Sequence, residues 1–260
     1  MGKVLALTNS KGGVGKTTSA VNLGIGLAKE GQKVLLIDCD PQGNMSVSLG
    51  IEHPDELDVT LASIMRKIID DEEVMAGEGI LHHEEGVDFL PTNIELSALE
   101  VTLVNTISRE VILKSYIDSV KDGYDGVIID CMPSLGMMTI NALAAADEVI
   151  IPVQAAYLPV KGLEQLISTI SRVKKRLNRN LQIRGILLTM VDMRTNYARD
   201  ISEMVSEVYG EKIGMFGSMI PMSVRAAEPS VDGISIYKHC PKGKAAEAYM
   251  DFTREVLANG

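Results

Sequence analysis

Residues 10–18 read S-K-G-G-V-G-K-T-T, and their spacing sets out phosphate chemistry before anything else in the chain does. Gly15-Lys16-Thr17 closes the pattern G-x-x-x-x-G-K-[ST], in which glycine backbone N–H groups converge on phosphate oxygens. In such a loop Gly12, Gly13, Val14 and Gly15 supply the cradle. Lys16 pairs with the β and γ phosphates, and Thr17 and Thr18 open the following helix, with the Thr17 hydroxyl suited to Mg²⁺. Two features depart from the pattern. Ser10 stands where the opening glycine belongs, and a second lysine, Lys11, lies inside the loop. The bland alternative is a glycine-rich turn with two solvated lysines.

Two further stretches carry acids at the ends of apolar runs. Val34-Leu35-Leu36-Ile37 leads into Asp38-Cys39-Asp40-Pro41-Gln42-Gly43-Asn44, and Val127-Ile128-Ile129 leads into Asp130-Cys131-Met132-Pro133-Ser134. An aspartate after a hydrophobic strand can hold the shell of a phosphate-bound Mg²⁺. It serves equally as a cap for the next helix. What favours the metal reading is that three strand-end elements can converge on one Mg²⁺-nucleotide.

To bring these together the chain needs parallel strands. Candidates are Val4–Thr8, Lys33–Asp38, Val87–Pro91, Gly126–Asp130, Glu148–Val153, Ile183–Met190 and a weaker run near Ile213–Ile220. Several are apolar on consecutive positions, as in strands covered on both faces. Helical stretches at 16–30, 60–71, 108–121, 139–146, 161–177, 196–209 and 242–258 alternate with them. The expected fold is α/β, one domain over 1–260, with a doubly wound, mostly parallel sheet and its ligand at the carboxyl ends of the strands. The acidic segment 52–85 is the least regular and is expected to be a peripheral helical excursion.

Composition excludes several classes. The 260 residues are 46% hydrophobic and 23% charged, as in globular domains. Aromatics are 4% with no Trp, which argues against base stacking on single strands. Cys39, Cys131 and Cys240 are far apart, with no C-x-x-C pair, which fits reduced thiols in a cytoplasmic setting. No run approaches the ~18 apolar residues of a membrane span, and no signal peptide is evident. The net charge is −10, yet Arg172 to Arg199 holds eight basic residues and one acid, Asp192. Glu52 to Glu85 holds eleven acids against Arg66 and Lys67. A local anion-binding face is compatible with the acidic total.

Taken together, K-G-G-V-G-K-T-T, D-C-D-P-Q-G-N and I-I-D-C-M-P-S-L resemble the deviant Walker-A P-loop ATPases of the ParA/Soj partition group, within the ParA/MinD family. The likeness continues through L-L-T-M-V-D-M-R-T-N at 187–196, I-P-M-S-V-R at 220–225 and K-G-K-A-A-E-A-Y at 242–249. It implies an ATP- and Mg²⁺-dependent enzyme of slow intrinsic rate, dimeric when ATP-bound. By this resemblance Lys11 reaches the phosphates held by the partner subunit, and Asp40 orients the attacking water, with Thr17, Asp38 and Asp130 around the metal. Adenine lies against Pro221, Met222 and Ser223, while Arg194 and Arg225 contact DNA. Lys174 and Lys175 are weaker candidates for the same surface, since cations near a helix C-terminus also suit its dipole. Implied partners are non-specific double-stranded DNA and a ParB-type protein that stimulates hydrolysis; the cargo is a chromosome, a plasmid or an integrated element. The implied location is cytoplasmic and nucleoid-associated, without membrane.

Departures and rivals follow from the same comparison. The group usually has D-C-P-P-S and I-P-R-N-V-R where this chain has Asp130–Ser134 and Ile220–Arg225 with Met222-Ser223, so a basic side chain is missing and weaker DNA affinity is expected. A MinD-like regulator of another cargo would need a basic amphipathic C-terminal helix. An iron–sulfur carrier of the superfamily would need paired cysteines at a dimer axis. A long repressor-type relative carries a helix-turn-helix segment before the loop, where this sequence has nine residues.

Overall fold

In a computed structural model, the structure describes residues 2–155, 160–192, 194, 196–210, 213–223 and 232–258. The strands are β1 (Lys3–Leu7), β2 (Val34–Cys39), β3 (Leu81–His82), β4 (Asp88–Leu90), β5 (Gly126–Cys131), β6 (Glu148–Gln154), β7 (Gln182–Val191) and β8 (Met215–Pro221). Among the described residues they form one eight-stranded sheet in the order β3-β4-β2-β5-β1-β6-β7-β8. All neighbours are parallel except β3 with β4. β2 and β5 are buried at every position, which is why they read as unbroken apolar runs.

The pleat divides those side chains between two cores. Val4, Ala6, Leu35, Ile37, Val127 and Ile129 face one side. There they meet α3 (Leu61–Ile69), α4 (Glu95–Leu103), α5 (Ile112–Val120), α6 (Met137–Ala145), α7 (Val160–Arg176) and α8 (Asn196–Val205). Leu5, Leu7, Leu36, Ile128 and Ile150 face the other side, against α1 (Lys16–Lys29) and α10 (Lys244–Ala258). The short α2 (Asn44–Ser48) and α9 (Ile236–His239) complete the set among the described residues. Helices on both faces make the sheet doubly wound, as expected.

α1 carries the phosphate loop, and close packing fixes its position. A Cβ added at Gly26 would stand 2.4 Å from Thr253 Oγ1 and 2.7 Å from the Tyr237 hydroxyl. Alanine is worth about 1 kcal/mol over glycine in a helix interior. Overpacking costs about 1–3 kcal/mol, and here it falls on two hydrogen-bonding groups. Gly26→Ala is therefore expected to lower the urea midpoint despite its better propensity; a midpoint at or above wild type would show that α10 yields freely.

Segment 52–85 differs from expectation. Leu61, Ala62, Ile64 and Met65 of α3 are fully buried, so the helix is part of the core, not peripheral. The acids lie on the flanking turns, and the segment ends in β3, paired antiparallel with β4. A helix at 95–103 was not expected, although Leu96, Leu99 and Leu103 have helical spacing and are buried. The helix expected from 108 begins at Ile112, after a turn in which Ser108 has φ 55°.

Candidate functional site

β1 delivers the chain to the central carboxyl edge, where residues 9–15 turn into α1. The loop is tied from several sides. Asn9 Nδ2 donates to Pro152 O at 2.7 Å, and the Asn9 side-chain oxygen accepts from Lys11 N at 3.0 Å. Thr189 Oγ1 donates to Val14 O at 2.8 Å. Ser10, in the opening glycine's place, donates to Gly162 O of α7 at 3.4 Å. Gly13 and Gly15 have φ 71° and 79°, a conformation that costs a side-chain-bearing residue about 1–2 kcal/mol.

Gly15 is the N-cap of α1, and no side chain caps the helix or places an acid in its first turn. The first N–H groups of an α-helix have no partner within it. They open here into a cleft of ≈ 650 Å³ lined by Gly12, Gly13, Gly15, Lys16, Thr17, Thr18, Asp40, Gln42, Asn44 and Met190 among others. An uncapped helix end with its positive field is an anion site.

Inside it, Lys16 is only 6% exposed, and its Nζ donates to Lys11 O at 3.1 Å. Burial lowers the lysine from its ordinary value, opposed by Asp130, Cys131 and Asp40. Thr17 Oγ1 donates to Asp130 Oδ2 at 2.6 Å. The other oxygen, Asp130 Oδ1, is buried with no hydrogen-bond partner among the described residues. Burial, with Asp38 next, pushes the Asp130 carboxyl up. An orphaned carboxylate oxygen beside a threonine hydroxyl is the donor set a hard divalent cation takes, and a cation would restore the charge that burial disfavours.

Asp38 sits opposite Asp130 in the β2–β5 register but makes different hydrogen bonds. Its Oδ1 accepts from Asp40 N at 3.2 Å, and its Oδ2 from Ser46 N and Oγ at 2.9 and 2.8 Å. Both oxygens thus staple the turn 40–46 that leads into α2. Burial raises Asp38 to about 7. Asp40 lines the cleft, and its Oδ1 accepts from Gln42 N at 3.1 Å. Cys39 and Cys131 are 1% exposed, and burial drives both thiols far up, away from the thiolate a cluster ligand needs.

The remaining candidates are dispersed. Pro221 ends β8 and Met222 and Ser223 follow it at the same carboxyl edge, with Met222 N donating to Val191 O at 3.0 Å, but they do not line the phosphate cleft. Arg194 follows β7, its side chain 88% exposed and bidentate on Asp192 at 2.8 and 2.9 Å. Lys174 and Lys175 occupy the last turn of α7, with Lys174 beside Gln182 and Ile183 where β7 begins. The ten residues of β7 separate them from Arg194, roughly 30 Å at about 3.3 Å per residue. Arg184 is 7% exposed and is held by Glu148 and the Val256 carbonyl. Arg225 and the side chain of Arg199 lie outside the described residues.

Sequence reasoning did not pick out Gln42, Asn44 or Met190 as cleft residues. Gln42 and Asn44 stood within a quoted motif. Met190 has φ 53° under Gly15, a backbone state for which the sequence carries no signal.

A family described as an AAA domain matches residues 2–183. The chain is 45% identical over 260 residues to the sporulation initiation inhibitor protein Soj of Bacillus subtilis, covering 100% of both chains. It is 36% identical to the chromosome partitioning protein ParA of Caulobacter vibrioides, covering 98% of this chain and 94% of that one. A crystal structure of cobyrinic acid a,c-diamide synthase from Mycobacterium smegmatis with bound ADP and magnesium matches with a TM-score of 0.86 at 36% identity, covering 100% of this chain and 95% of that one.

Proposed function

Since the chain belongs to the ParA/Soj family of chromosome-partitioning ATPases, we propose that it is an ATP-hydrolysing switch that dimerises on ATP, binds DNA non-specifically and is reset by a ParB-type partner. The observation that carries this reading is the open N-terminus of α1 with Lys16 inserted and Thr17 bonded to Asp130, whose second oxygen is unclaimed. Backbone N–H groups of 12–18 and the Lys16 ammonium hold the phosphates. Thr17 and Asp130 would hold Mg²⁺, which would supply positive charge to the phosphates. Asp40, held at the cleft wall by Gln42 N, orients the water, and Asp38 fixes the turn that carries it. Lys11 is supplied to the nucleotide of a second protomer. Hydrolysis stays slow until the partner completes the geometry around Asp40.

For DNA, the exposed Arg194 is the contact this reading uses, and it must exchange Asp192 for a backbone phosphate. The Arg194 guanidinium holds the Asp192 carboxyl at about 2, so this competitor is ionised throughout the physiological range. Arg194→Ala is expected to spare ATP hydrolysis and weaken DNA binding, while Asp192→Asn strengthens it. Gel shifts at several salt concentrations test both: Arg194→Ala should flatten the salt slope, and shifts identical to wild type would remove Arg194 from the interface. The reading places the protein in the cytoplasm on the nucleoid; no helix among the described residues is long and apolar enough to cross a membrane.

A further inference from the structure

We infer that Ser46 is the positioning residue for hydrolysis, holding the Asp40 turn in register by joining the ends of β2 and β4. The inference rests on the ATPase reading above and adds a residue that contacts neither the phosphate loop nor the Thr17–Asp130 pair. Ser46 is fully buried in α2. Its backbone N–H and its hydroxyl both donate to Asp38 Oδ2, at 2.9 and 2.8 Å. The same hydroxyl oxygen accepts from Thr92 N, just beyond β4, at 3.1 Å. One small side chain therefore closes the turn 40–46 onto its own strand and ties it to a second strand.

What the arrangement controls follows from where the turn goes. Between its fixed ends lie Asp40 and Gln42, which face the cleft, while Asp40 N is held by the other Asp38 oxygen. Removing the Ser46 hydroxyl takes one donor from Asp38 and strands the buried Thr92 N–H. Leaving a buried donor unpaired favours any shift of the turn that lets another acceptor reach it. No phosphate-binding group is altered, because Lys16, Thr17 and the loop glycines hang on β1 and α1. The effect belongs to turnover and not to affinity.

The test is steady-state hydrolysis together with direct binding of ADP and of a non-hydrolysable ATP analogue. Ser46→Ala is expected to lower kcat about 10- to 100-fold, the range for a displaced catalytic group, with nucleotide affinity within about twofold. Ser46→Cys, near in volume and a weak donor, should fall between Ala and wild type, and serves if Ala does not fold. Asp38→Asn combined with Ser46→Ala should be no slower than the slower single variant, as expected for one shared contact. A wild-type kcat, or a loss of affinity matching the loss of rate, in whichever variant folds overturns the positioning role. Additive effects in the double variant do the same. Asp40→Ala is the control: unchanged hydrolysis there would sink the reading of the cleft itself, separately from Ser46.

Discussion

Lys16→Ala is expected to lose nucleotide binding by roughly 100-fold or more, the largest single-residue effect in the protein. The ammonium is buried to 6% exposure at the floor of the cleft, with Asp130 and Asp40 among its electrostatic neighbours. Under the proposed reading its removal deletes charge-assisted contacts to two phosphates, each worth about 1.5–3 kcal/mol. It also leaves buried carboxyl groups facing an incoming polyanion, where about 1.4 kcal/mol is a factor of ten. The fold should survive, since among the described residues the ammonium's hydrogen bond runs to the Lys11 carbonyl of its own loop. Lys16→Arg should not restore affinity, because a planar fork cannot occupy the space of a compact ammonium. Calorimetric titration with ATP and Mg²⁺ decides it: binding within a few fold of wild type, in a protein with unchanged circular dichroism, would place the phosphates elsewhere.

That the loop was readable in the sequence has a local cause. Glycines at 12, 13 and 15 followed by Lys16 and Thr17 fix both the backbone and its donors within six residues. The strands were readable because burial on two faces leaves no polar position in Val34–Ile37 or Val127–Ile129. Their ends brought Asp130 to Thr17 as expected. What the sequence did not carry is direction after a strand ends. Asp38 and Asp130 look alike in their motifs and are register partners, yet one serves a turn and the other presents an empty oxygen. The chain reversal after α7 likewise turned a run of neighbouring cations into two sites at opposite ends of β7. Helix α4 was missed for another reason. Its buried Leu96, Leu99 and Leu103 are accompanied by an exposed Val101 (72%), with exposed Ile94 and Ile107 close by, and apolar residues on the outer face blur the period that marks a helix.

Lys11→Ala should separate nucleotide affinity from dimerisation, which Lys16→Ala removes together. The backbone of Lys11 is committed within its own protomer: its N–H donates to Asn9, and its carbonyl accepts the Lys16 ammonium. Alanine keeps both bonds, so ATP affinity should stay within a few fold of wild type. Under the proposed trans role, what disappears is the cation facing the twin's triphosphate. Two ATP-loaded faces then meet with uncompensated charge, and ATP-dependent dimers should be absent in light scattering. An ordinary dimer mass for Lys11→Ala with ATP would end that role. Mixing supplies a sharper version, because Lys16→Ala protomers still carry Lys11 while Lys11→Ala protomers still hold ATP. Under that role a mixed dimer would contain one complete composite site, so two preparations that are each inactive should recover hydrolysis when combined. If Lys11 acts only within its own subunit, no mixture of the two can do so.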